Sequence, residues 1–330
     1  MAAPERNWAG NLTWSAPVEH PASLAELQEV VARARRVHAL GTRHSFSPCA
    51  DSGGTIVALD RLDPGLVIDP DGGTATVGAG IRLGDLGRRL HEQGWAIAAW
   101  PSLQHISLGG AVATATHGSG DATGMLATLV RALDVVGPDG EVRRIAGGEL
   151  AAAVMSYGTF GVATRVTVAI EPAFDVLQQS FEELAWQRVE HELDEIFAAA
   201  FSVSLFTTWV GPVRSALVKS RSREHRAGFF GAPGAPVRPP DARTTPVGTP
   251  GPAWDRLPHF RLDGTPSVGD ELQSEYFVPR AHAVEALAAL RAIGTDLSAA
   301  LHMTELRTVA GDDLWLSPAH DTDVLAIGFT

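Results

Sequence analysis

His44 lies in Gly41-Thr42-Arg43-His44-Ser45-Phe46-Ser47, directly after the apolar run Val37–Leu40. A strand running into Gly-Thr makes a tight turn whose backbone N–H groups come close to a ligand. An imidazole among small hydroxyl residues in such a turn is a reactive group on a phosphate-cradling loop. The same short string also describes a plain polar surface turn, so it needs a companion. That companion is Ser102-Leu103-Gln104-His105-Ile106-Ser107-Leu108-Gly109-Gly110-Ala111-Val112-Ala113-Thr114-Ala115-Thr116-His117-Gly118-Ser119-Gly120, where few large side chains separate the backbone from a ligand. It is not a Walker loop, because no Gly-Lys-Ser/Thr follows. Nor is it the dinucleotide fingerprint, because Gly118-Ser119-Gly120 has no third glycine at the right offset and no helix pattern opens there. A cradle this extended suits a long diphosphate ligand.

A second kind of chemistry is suggested near the end of the chain. Glu305 and Arg307 lie two apart on a predicted strand, so both point to one face, with Thr304, Leu306 and Thr308 on the other. A carboxylate that accepts and a guanidinium that donates can together hold a polyhydroxylated substrate. The pattern alone also describes an ion pair on a solvated face. His91, His191, His225 and His282 fit no metal-ligand spacing. Trp315 and Pro318 read as core and turn residues, and Cys49 as a small buried apolar group.

The rest of the chain must position these groups. Its 330 residues suggest two domains, and 45% hydrophobic with 19% charged residues is globular composition. A net charge of −12 argues against a general affinity for nucleic acid or anionic membrane. No run of apolar residues is long enough to span a bilayer, the first residues carry no apolar leader, and a single cysteine excludes an internal disulfide. A cytoplasmic protein is the simplest account.

Ser23 and Glu26 form a capping-box pattern ahead of a helix carrying Leu24, Leu27, Val30, Val31 and Ala34. That helix feeds the strand Val37–Leu40 and the histidine turn. Short strands at 55–59, 66–69 and 74–77 precede a helix over 82–93 with Leu83, Leu86 and Leu90 on one face, stopped by Gly94. A strand over 95–99 leads into the cradle. A hairpin turns at Pro138-Asp139-Gly140, a helix follows over 150–156, and a half-buried strand runs over 162–170. Glu171-Pro172 is the expected boundary, giving a first domain over 1–172 and a second over 173–330. The second reads as strand 174–181, helix 184–199, strands 203–209 and 216–219, then an irregular segment over 221–270 that covers a site. Nine prolines from Pro233 to Pro266 exclude a helix or central strand there. A strand over 272–278, a helix over 281–297 with Val284, Leu287, Ala288 and Ile293 inward, and strands at 303–309 and 324–329 complete the chain.

These segments resemble the vanillyl-alcohol-oxidase type of flavoprotein, and within it the alditol (xylitol) oxidases. The two glycine-rich segments carry the broad resemblance. Asn7-Trp8-Ala9-Gly10-Asn11 and Gly161-Val162 belong to the resemblance too, and Ser202-Val203-Ser204-Leu205-Phe206-Thr207, Leu257-Pro258-His259-Phe260, Glu271-Leu272-Gln273-Ser274-Glu275-Tyr276 and Glu305-Leu306-Arg307-Thr308-Val309-Ala310 narrow it. The resemblance implies an α+β fold: a two-subdomain FAD-binding domain, then an antiparallel-sheet substrate (cap) domain with flanking helices. It implies FAD held covalently through His44. Gly41, Thr42, Arg43, Ser45, Phe46, Ser47, Ser107, Gly110, Thr114, Ala115, Thr116 and His117 would hold the diphosphate and ribityl parts, and Val162 would touch the cofactor by backbone. Ser102, Glu305, Arg307 and Thr330 would line the polyol pocket. The implied reaction turns the terminal alcohol of an alditol into an aldose while O2 becomes H2O2, in a monomer without nucleic-acid or membrane partners.

Two departures accompany the resemblance. Gly328 stands where relatives have a histidine beside the flavin. The family continues past the position of Thr330 with a segment bearing a lysine, so the chain reads as truncated. A sugar-lactone (gulono- or galactonolactone) oxidase of the same fold, or an inactive flavin-binding remnant, is the alternative.

Overall fold

A computed structural model describes residues 5–236, 241–264 and 271–330. Residues 1–4 and parts of the irregular 221–270 segment, including Pro239, Pro240 and Pro266, lie outside the described residues.

Three sheets carry the architecture. The first is parallel, with Thr55–Ala58 between Val18–Glu19 and Val37–Leu40. The helix Leu24–Arg33 connects its outer strands. Ser23 Oγ accepts from the Glu26 N–H at 3.2 Å and Glu26 accepts from the Ala22 N–H at 2.8 Å, which fixes where the helix starts. Leu27, Val30 and Val31 face inward, while Leu24 stays at the surface.

The second sheet is antiparallel, in the order Leu66–Asp69, Thr74–Gly78, Val162–Ala169, Val130–Val136, Val142–Ala146. The alternation read over 162–170 is real: Val162, Val166 and Val168 are buried with Ala75, Val77, Leu133 and Val135. The helix Leu83–Glu92 packs Leu83, Leu86 and Leu90 into the same core, and Gly94, at φ +82°, ends it. Gly87 lets this helix approach the Trp100 ring, since a Cβ there would lie 2.2 Å from it. The strand read over 95–99 is only Trp95–Ala96, and it pairs with Glu171–Pro172 at the expected boundary.

The third sheet has seven strands: Gly251–Pro252, Asp175–Leu184, Val213–Ser220, Ser202–Thr207, Thr304–Val309, Val324–Phe329, Ser274–Pro279. Its inner face buries Phe181, Leu205, Val218, Leu306, Leu325 and Ile327 against Trp186, Phe197 and Leu287.

Several sequence expectations change here. The helix expected over 184–199 is two short helices, Trp186–His191 and Leu193–Ala198, which meet at Glu192 in a non-helical conformation. The helix expected over 281–297 is Ala283–Ala292 followed by Gly294–Ala300. Its inward stripe is Ala283, Leu287 and Leu290, whereas Val284, Ala288 and Ile293 face outward. Apolar residues occupy both faces of this helix, so periodicity alone picks the wrong one. Trp315 is not core: it is 69% exposed on the loop after Asp312. The irregular segment is not only a surface loop. Phe229 stacks on Phe181 at 5.5 Å, and Gly251–Pro252 joins the large sheet. No helix among the described residues is long and apolar enough to cross a membrane.

Candidate active site

One cavity of about 1030 Å³ is lined by the histidine turn, the glycine-rich cradle and the exposed end of the large sheet. It lies at the upper end of the ~300–1,000 Å³ usual for ligand sites, which leaves room for a large ligand beside a small one.

The histidine turn is clamped from outside. Asn7 Nδ2 donates to the Ser45 carbonyl at 2.9 Å, Asn11 Nδ2 to the Phe46 carbonyl at 3.2 Å, and the Trp8 N–H to the Arg43 carbonyl at 2.8 Å. These bonds hold Arg43 at φ +66°, a left-handed conformation that costs a non-glycine residue about 1 kcal/mol. The Trp8 ring stacks on His44 with centroids 5.7 Å apart.

Turn and cradle meet through their hydroxyl residues. The Ser107 N–H donates to Thr42 Oγ1 at 3.0 Å, and the same hydroxyl lies 3.1 Å from His44 Nδ1. A Cβ on Gly41 would lie 2.4 Å from Ser107 Oγ, so a side chain there forces that hydroxyl to turn away from its present position. The cradle is not wholly extended, because Leu108–Ala113 forms a short helix with Gly109 packed on Ala79. Burial, then the charge of His105, pushes the His44 imidazole down to about 4, against a smaller opposing effect of Thr42. At neutral pH the ring keeps a free lone pair.

At the other end, Glu275, Gly328 and Glu305 form one row across three neighbouring strands. Arg307 reaches over this row. Its Nη2 donates to Glu275 Oε1 at 2.6 Å, its Nη1 lies 3.5 Å from Ser102 Oγ, and its Nε lies 3.8 Å from Glu305 Oε2. The other Glu275 oxygen faces His117 Nε2 at 3.0 Å, while His117 Nδ1 lies 2.7 Å from the Gly118 carbonyl. Burial opposes the charge on Glu275, but Arg307 and then His117 outweigh it and hold the carboxyl well below its usual range. Burial likewise opposes the charge on Arg307, and Glu275 with Glu305 restores it. Among the described residues, Glu305 Oε1 and Arg307 Nε are buried without a hydrogen-bond partner. A buried carboxylate oxygen and a guanidinium N–H left open in one cavity suit a ligand that both donates and accepts.

Of the residues singled out from the sequence, Gly41, Thr42, Arg43, His44, Ser45, Phe46, Ser102, Ser107, Gly110, Thr114, Ala115, Thr116, His117, Glu305, Arg307 and Thr330 all line this cavity. Ser47 and Val162 do not. Ser47 is exposed at the start of the turn Pro48–Ala50, and the Val162 side chain points into the core while its neighbours Gly161 and Ala163 line the cavity. Cys49 is not a buried apolar group: it lines the cavity and lies 3.1 Å from Ser45 Oγ. A Cβ on Gly328 would meet Glu275 Oε1 at 3.5 Å, so the protein leaves room there. Sequence reasoning missed Glu275 and His259 as individual side chains. Alternation could place Glu275 on a strand face, but only strand pairing shows that this face is the one bearing Glu305.

Residues 16–146 match the family model described as "FAD binding domain". The chain is 43% identical to the alditol oxidase of Streptomyces sp. (strain IKD472 / FERM P-14339), over 100% of this chain and 82% of that protein. It is 32% identical to the L-gulonolactone oxidase of Mus musculus over 53% of this chain and 42% of that protein. The fold resembles the crystal structure of cholesterol oxidase from B. sterolicum, with a TM-score of 0.75 at 14% identity over 99% of this chain and 79% of that one. The long cavity between the histidine turn and the glycine-rich cradle, with a neutral His44 on its wall, fits FAD.

Proposed function

We propose, since this chain belongs to the alditol oxidase family of FAD-linked oxidases, that it oxidises the terminal primary alcohol of alditols such as xylitol and sorbitol to the aldose, with O2 reduced to H2O2. The observation that carries the reading is the Glu305–Arg307–Ser102 cluster, with unsatisfied polar atoms, in the same cavity as the cradle.

When bound, FAD supplies the two-electron acceptor that this chain's side chains do not contain. Gly41, Thr42, Arg43, Ser45 and Phe46, with Ser107, Gly110, Thr114, Ala115, Thr116 and His117, would hold its diphosphate and ribityl parts. His44 is the residue for a covalent link. Glu305 accepts from one polyol hydroxyl, while Arg307 and Ser102 donate to others, which fixes the alcohol carbon that reacts. The Arg307 charge, preorganised by Glu275, stabilises negative charge developing on the reacting oxygen. Thr330 lines the same pocket. The same reading divides the chain into an FAD-binding domain over 1–172 and a cap over 173–330, and has it work as a cytoplasmic monomer.

The test is peroxide formation by flavin-loaded protein from xylitol, sorbitol, gulonolactone and galactonolactone. Peroxide from the polyols supports the reading. Faster turnover of a lactone, or no peroxide from any of them, sinks it.

A further inference from the structure

We propose that His259 is a further substrate-reading residue of the polyol pocket, whose ring N–H donates to the same substrate hydroxyl that Glu305 accepts from. This rests on the polyol-oxidase reading above.

His259 lies in the irregular segment, yet its ring lines the cavity and packs on Phe206 with centroids 5.6 Å apart. Its Nδ1 faces Glu305 Oε1 at 3.7 Å, too far for a hydrogen bond. The ring forms no hydrogen bond among the described residues, and Glu305 Oε1 has none either. Two unsatisfied polar groups facing each other in a cavity are where a ligand hydroxyl completes both.

The ring is fixed and its charge state is set. The His259 N–H donates to the Ser102 carbonyl at 2.9 Å, and the Phe260 N–H donates to the same carbonyl at 3.2 Å. Behind them the fully buried Lys219 Nζ donates to the Leu257 carbonyl. One turn therefore aligns His259 and Ser102 together. Burial, then the charges of Lys219 and Arg307, holds the imidazole well below its ordinary value; Glu305 is the anion facing it. A neutral imidazole both donates and accepts, whereas Arg307 only donates and ionised Glu305 only accepts. With its proton on Nδ1 the ring donates towards Glu305 Oε1, and one hydroxyl within reach of both accepts from the ring and donates to the carboxylate.

The experiment compares wild type, His259→Leu and His259→Gln, all flavin-loaded, on xylitol and on pentitols lacking one hydroxyl each. Wild type should lose affinity for one deoxy analogue more than for the others. H259L should raise the KM for xylitol by about tenfold, the size of one hydrogen bond, with kcat changed much less, and should no longer penalise that analogue. H259Q, which keeps an N–H donor, should recover part of the loss. An unchanged KM in H259L, or the same deoxy profile in wild type and variant, overturns the inference while leaving the polyol reading intact. If H259L does not fold, a wild-type-like KM and deoxy profile in H259Q supports the inference, and loss of xylitol binding in that folded variant overturns it. No response of wild type to any polyol overturns the underlying reading and the inference with it.

Discussion

Replacing Glu275 by Gln removes the charge that joins Arg307 to His117 while keeping the side chain's shape. Arg307 then keeps only Glu305, at 3.8 Å from its Nε, in place of a partner at 2.6 Å. Coulomb's law at an effective dielectric near 20 gives about 4 kcal/mol for a close pair, and removing one member of a buried pair costs ~3–5 kcal/mol. Glu275 is 26% exposed and Arg307 12%, so part of this is screened. The expected loss is roughly 2–3 kcal/mol. Denaturant midpoints of flavin-loaded wild type, E275Q, Arg307→Met and the double variant measure it. Because the double variant leaves no unpaired guanidinium, it should lose less than the sum of the single changes by about 1.5 kcal/mol or more. A loss under about 0.5 kcal/mol in E275Q, or strict additivity, would refute the view that this carboxylate organises the pocket.

His44→Ala should leave the protein folded but release its flavin on acid precipitation; yellow colour retained in the pellet would show that the link is elsewhere. Gly41→Ala places a Cβ 2.4 Å from Ser107 Oγ, so flavin content per chain should fall severalfold, and normal loading would contradict the close approach of turn and cradle. The folded-state value of His44 is about 4 against 6.5, so the unfolded chain binds more protons in that window. In flavin-free protein, stability should be full above pH 6.5 and fall by about 1.4 kcal/mol per pH unit towards pH 4 through this group. His259 adds to the loss in the same direction. A melting temperature that stays flat from pH 7 to pH 5 would contradict the assignment of buried, neutral rings.

How much of this was legible in the sequence depended on how local each signal was. The histidine turn and the cradle are continuous segments whose chemistry is set by glycines and hydroxyls, so both could be read directly. Glu305 and Arg307 followed from a period of two. Glu275 and His259 reach the same pocket through strand pairing and an irregular excursion, which no local period reports. The outward Val284 and Ile293, and the exposed Trp315, show the opposite failure. There, apolar residues were not evidence of burial, because a helix with apolar residues on both faces has no unique inward side. The six-residue helix inside the cradle escaped because Gly-Gly reads as a helix breaker, whereas here Gly109 serves close packing on Ala79.

The most direct measurement mixes flavin-loaded protein with xylitol in the absence of oxygen and follows visible absorbance. The account predicts that the flavin bleaches, and that admitting oxygen restores the colour with one peroxide formed per flavin. Flavin that stays yellow with xylitol and sorbitol, or bleaches only with a sugar lactone, would contradict it.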